Sequence, residues 1–250
     1  MGSVASLFAG LATGLGAAVI LGLRAPSEGQ QKTLLAFAAG VMLAASFFSL
    51  IIPALDEAQA AGASNVGAAI VVVLAILLGA CALGVIRGLL PKVADHYPAL
   101  LASEKSRRIW LFIAAITLHN FPEGLAVGVS FGGGDVAAGL ATALGIGLQN
   151  IPEGFAVAGA ALALGYKTRS AFLIGLASGL VEPIAGVTGA AAVAGAQMLL
   201  PWALGGAGGA MIYIVLAEII PEINERSRPP RMTALMIGLA AMMFLDVALG

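Results

Sequence analysis

Eight runs of roughly 20 mostly apolar residues follow one another along this chain, each long enough to cross a hydrocarbon layer about 30 Å thick. They fall at about 4–23, 33–53, 66–87, 109–131, 136–164, 170–194, 198–220 and 232–249. Composition forces the same conclusion. Of 250 residues, 60% are hydrophobic and 10% charged, whereas a soluble domain carries about 25% charged residues. The mean hydropathy is +1.02. So little polar surface cannot face water, so lipid must be the solvent for most of the chain. Only helices and closed barrels satisfy the backbone in lipid, and runs of this length suit helices. The expected fold is therefore an all-α membrane protein of eight transmembrane helices, in a single transmembrane domain over 1–250. The loops are too short to hold a soluble domain. A net charge of −1 gives no basic footprint for nucleic acid. The lone cysteine, Cys81, can make no internal disulfide. The first run has no Lys or Arg before it, unlike a signal peptide, and reads as the first span.

Basic residues set the expected orientation. Arg24 and Lys32 flank loop 1; Arg87, Lys92, Lys105, Arg107 and Arg108 flank loop 3. Lys167 and Arg169 fall in loop 5, and Arg226, Arg228 and Arg231 in loop 7. All 12 Lys and Arg thus sit on one side. The positive-inside rule makes that side cytoplasmic, in a plasma (inner) membrane, with both termini outside.

Two internal similarities suggest a repeat. Residues 10–15 read GLATGL and residues 175–180 read GLASGL, while spans 2 and 7 end in Ile51-Ile52-Pro53 and Ile219-Ile220-Pro221. Each pair lies on spans running in opposite directions. Spans 1–3 and 6–8 are expected to be inverted copies around spans 4 and 5, a 3+2+3 arrangement of the kind transporters build around a midplane site.

Spans 4 and 5 carry a second repeat: HNFPEG from His119 to Gly124, and QNIPEG from Gln149 to Gly154. Each motif lies about four helical turns from the short turn joining the two spans, so the motifs should face each other near mid-membrane. On a helix, His119, Glu123 and Asn120 share one narrow face, and so do Gln149, Glu153 and Asn150. Two opposed faces make a pocket with a central pair of carboxylates, a layout able to hold two cations bridged by Glu123 and Glu153. Glu182, followed by Pro183, adds a third acid from span 6. Pro122 and Pro152 free the carbonyls of Leu118 and Leu148, tolerable where backbone is buried or lines a wet cavity.

Three glutamates at mid-span would cost roughly 8–10 kcal/mol to insert as anions. No Lys or Arg lies at that depth, so protons or cations must neutralise them. Asn and Gln alone would read as interhelical hydrogen-bond glue. Three acids with a histidine suit a borderline transition metal better than calcium or magnesium, which take all-oxygen shells.

At these motifs the sequence resembles the ZIP family (Zrt-, Irt-like proteins) of divalent metal transporters, especially its bacterial GufA-type branch. HNFPEG, QNIPEG, VEP at 181–183 and EIIPE at 218–222 carry the resemblance, which spans essentially the whole chain. It implies transport of zinc, and of cadmium, iron, manganese or cobalt, toward the cytoplasm as substrate, with no catalytic cofactor and no enzymatic activity. It implies a binuclear centre: His119, Glu123, Gln149 and Glu153, with Met42 as a sulfur ligand, at one site; Asn120, Glu123, Asn150, Glu153 and Glu182 at the other. It further implies an elevator-like movement of spans 1, 4, 5 and 6 against spans 2, 3, 7 and 8, and a homodimer in the bilayer. Asp56 resembles an entrance residue, and Asp246 matches an acid that the family carries on span 8. Glu218 and Glu222, four residues apart on span 7, read equally as an exit for metal or a solvated helix end. Gln149 departs from the His that opens the second motif in many members, and Asn150 stands where some have an acid.

Two rival readings belong to other classes. An intramembrane metallohydrolase would need a free general base and an oxyanion donor beside the metal, yet HExxH is absent and no Ser or Cys adjoins the acids. A proton-conducting subunit would need neither His119 nor the doubled motif.

Overall fold

The computed structural model describes residues 1–22, 27–94, 103–131, 134–223 and 229–249. Among these every regular element is helical. Span 1 is α1 (Gly2–Gly22). Span 2 is α2 (Glu28–Ala45), a π-helical turn (Ser46–Ile51) and α3 (Ile52–Ala60). Span 3 is α4 (Asn65–Ala94), span 4 is α5 (Glu104–Ser130) and span 5 is α6 (Val136–Ala163). Span 6 comprises α7 (Thr168–Gly179) and α8 (Val181–Gly195). Span 7 comprises α9 (Leu200–Ile214), a π-helical turn (Val215–Ile219) and α10 (Ile220–Ile223). Span 8 is α11 (Pro229–Leu249). Seven of these spans are both long and apolar enough to cross a membrane. The eighth, α6, has the length, with 28 residues, but Gln149, Asn150 and Glu153 make its middle more polar. Arg24, Arg226 and Arg228, invoked for orientation, lie outside the described residues.

Prolines shape the irregular segments. A proline ring clashes with the carbonyl four residues back. Just before Pro53 the ladder widens, and the Ile52 N–H reaches the Phe47 carbonyl. The same shift precedes Pro221, where the Ile220 N–H reaches the Val215 carbonyl. Span 6 was expected to run unbroken over 170–194; instead it breaks at Leu180, directly ahead of Val181-Glu182-Pro183. Pro183 then sits in the first turn of α8, where a missing N–H costs little.

The spans pack in two groups. α1 lies against α6 and α7, and α5 against α8. In the second group α2 lies against α11, and α4 against α9. The groups meet chiefly where α2 touches α6 and α9 touches α5. α4 and α11 are peripheral, turning Val73, Leu77, Phe244 and Val247 outward as expected of lipid-facing helices.

Close approach inside the first group depends on the two motif glycines. A Cβ on Gly124 would stand 2.2 Å from the Glu182 carbonyl, and one on Gly154 would stand 1.9 Å from the Thr13 carbonyl. Only hydrogen fits at either place. The backbone of α5 is thereby pressed onto α8, and that of α6 onto α1, which brings the side chains of both motifs into one interior.

Candidate metal centre

His119, Asn120, Glu123, Gln149, Asn150, Glu153 and Glu182 are all buried. α5 supplies three of them, α6 three, and the first turn of α8 supplies Glu182. The Gln149 amide donates to Glu123 Oε1, joining the two motifs directly. Asn150 Nδ2 donates to Glu182 Oε1 at 2.7 Å and to the Ala9 carbonyl at 2.8 Å. Thr13 Oγ1 adds a longer donation to Glu182 Oε1 at 3.4 Å. Asn120 Nδ2 donates to the Ser178 carbonyl at 2.7 Å.

These bonds orient the amides. Each of the three turns its NH₂ to the protein and leaves its carbonyl oxygen free. Among the described residues, the buried side-chain polar atoms with neither a hydrogen-bond nor an ion-pair partner are Asn120 Oδ1, Glu123 Oε2, Gln149 Oε1, Asn150 Oδ1, both Glu153 oxygens and Glu182 Oε2. All seven belong to the residues of the two motifs and Glu182, and all are oxygens that can only accept, apart from any protonated carboxyl. Leaving so many buried groups unsatisfied costs on the order of 10 kcal/mol. Cations, protons or water must offset that cost. Among the described residues no three His, Cys, Asp or Glu side chains converge as a ready metal site; amides hold the positions beside Glu123 and Glu182.

The remaining sequence candidates separate. Met42 is fully buried in the apolar core of α2. Asp56 is exposed on α3. Asp246 accepts a 2.6 Å hydrogen bond from Ser49 Oγ, which ties α11 to the π-helical turn of span 2. Glu218 is no solvated helix end: it is half-buried and ion-paired with Arg87 of α4. His119 Nε2 lies 3.1 Å from Glu218 Oε2, so the imidazole faces span 7. The side chain of Glu222 lies outside the described residues. A cavity of about 370 Å³ is bounded by Arg87, Arg108 and Phe112 and reaches Glu218, His119 and Glu153.

Sequence reasoning missed Arg87, Thr13 and Ser178. A signal existed for the last two, which occupy the same place in GLATGL and GLASGL. Arg87 gave none beyond a basic residue at a helix end.

Fold and site define a multi-pass membrane protein with buried carboxylates at its centre. The sequence pattern of the ZIP zinc transporter family matches residues 95–246. The chain is 42% identical to the zinc transporter GufA of Myxococcus xanthus, over all of this chain and 99% of that protein. It is 44% identical to the zinc transporter ZIPB of Bordetella bronchiseptica, covering 96% of this chain and 78% of that protein. It is also 35% identical to human zinc transporter ZIP11, over 90% of this chain and 91% of that one. The chain belongs to the ZIP family of transporters, on its GufA-type branch.

Proposed function

We propose that this protein carries zinc across the inner membrane toward the cytoplasm, through a two-ion site at the junction of spans 4, 5 and 6. The observation that carries the reading is the set of seven unpartnered buried oxygens on Asn120, Glu123, Gln149, Asn150, Glu153 and Glu182, with the His119 imidazole lining the same cavity as Glu153. Oxygen acceptors with one imidazole are the donor set of a borderline divalent ion. Glu153, with both oxygens free, and Glu123, with one, are suited to bridge two ions. Glu182, Asn150 and Asn120 belong to the second ion, with His119 and Gln149 beside the first. Met42, buried on α2 where that helix packs on α6, is assigned to the first site as its sulfur ligand.

The same reading makes spans 1–3 and 6–8 inverted copies. Supporting it, both spans 2 and 7 widen into a π-helical turn before an Ile-Pro pair. α1 lies on α6 as α8 lies on α5, and α2 lies on α11 as α9 lies on α4. Spans 1, 4, 5 and 6 then form the carrier of an elevator, and a homodimer would anchor the other group. Asp56 and Asp246 serve the outer approach, and Glu218 and Glu222 the inner one.

The test is a competition panel. Proteoliposomes loaded with a zinc-sensitive dye should take up zinc saturably. Cadmium, iron, manganese and cobalt should compete to graded extents, and magnesium and calcium should not. Absence of zinc flux, or equal competition by magnesium, overturns the reading.

A further inference from the structure

Glu218 sits where the arginine-bearing end of the molecule meets the candidate metal centre. One of its oxygens pairs with Arg87 Nε, and the other lies 3.1 Å from His119 Nε2. All three residues line the cavity that reaches Glu153. A carboxylate beside an imidazole in a cavity of this kind is itself a place for a divalent ion to lodge. Arg87 changes that. Its guanidinium is always charged and already occupies the carboxylate.

We propose that Arg87 is a tethered cation that keeps Glu218 and His119 from holding metal at the inner mouth of the transport site. The inference rests on the zinc-transport reading above. Two features of this chain give the device its reach. Arg87 comes from α4, outside the group of helices that carries the motifs, so it is anchored independently of His119. Arg108 lines the same cavity, three turns from His119 on α5, or about 16 Å. With Glu218 already occupied by Arg87, an ion that has left Glu153 is not recaptured on that carboxylate on its way out. Arg87 thus favours release over retention at this end, and acts as a specificity and positioning residue rather than a ligand.

Zinc titration calorimetry on the detergent-purified full chain tests this, with zinc flux in proteoliposomes alongside. Arg87→Ala should gain a zinc site, or tighten an existing one about tenfold. It should also lower maximal flux several-fold, as ions linger at the mouth. Arg87→Lys keeps the charge and should behave as wild type in both measurements. Arg87→Ala with Glu218→Gln should lose the added binding, a reversal that damage to the fold would not produce. An Arg87→Ala isotherm like that of wild type overturns the proposal, as does extra binding that survives Glu218→Gln. If wild-type protein moves no zinc at all, the transport reading itself fails. Wild-type flux with unchanged Arg87→Ala binding sinks only the role of Arg87.

Discussion

Asn150 Nδ2 lies 2.7 Å from Glu182 Oε1 and 2.8 Å from the Ala9 carbonyl, so one amide ties span 5 to spans 6 and 1. The same contacts fix which way the amide faces and leave Oδ1 as a buried acceptor. Asn150→Ala removes both donations and leaves Glu182 Oε1 with only the longer contact from Thr13 Oγ1. The expected loss is about 1–3 kcal/mol, read as a lower melting temperature in detergent. An unchanged melting temperature would show that the amide holds nothing together.

The glycines of the two motifs make a sharper steric prediction. Gly124→Ala and Gly154→Ala place a methyl group 2.2 Å and 1.9 Å from backbone oxygens of α8 and α1. Backbone cannot yield as a flexible side chain does, so overpacking should cost at least about 1–3 kcal/mol. Both variants should migrate as aggregated or poorly folded protein in size-exclusion chromatography. A monodisperse, wild-type-like Gly154→Ala would mean that α1 and α6 do not approach this closely.

Much of this architecture could be read from residue types. The spans follow from hydropathy, and the clustering of six polar residues follows from helical spacing within two motifs, with Glu182 added from span 6. What could not be read depends on partners distant in sequence. The break at Leu180 needed the combined effect of Pro183 and the packing of α7 on α1. The π-helical turns needed the local ladder around Pro53 and Pro221; their Ile-Pro signature was visible, but its geometry was not. Glu218 is the clearest case. As an acid at a helix end it looked equally like a solvated group, and only the position of α4 brings Arg87 to it.

Orientation can be checked chemically. In a Cys81→Ala background, cysteines at Ser64, in the exposed turn between α3 and α4, and at Gly133 should react with an impermeant thiol reagent added outside the cell. A cysteine at Ser106, in the first turn of α5, should be protected. The opposite pattern would reverse the direction of transport.

Proton competition follows from the chemistry of the site. Metal ligands bind as free bases, so each proton taken up by a carboxylate or imidazole must leave before an ion enters. Apparent zinc affinity should therefore weaken as pH falls from about 7.5 to about 5.5. Glu182→Gln removes one exchangeable proton and should flatten that dependence. Uptake measured against zinc concentration at several pH values decides the matter, and a pH-independent apparent affinity in wild type would rule the competition out.

The most direct test of the two-ion site is zinc flux in proteoliposomes compared among four single variants. Glu123→Ala and Glu153→Ala each remove a carboxylate shared by both ions and should abolish flux in protein that still purifies as a folded species. Asn120→Ala and Glu182→Ala damage one ion's surroundings and should leave reduced but measurable flux. Equal loss in all four variants would contradict the shared-carboxylate arrangement, and full flux in Glu153→Ala would contradict the site itself.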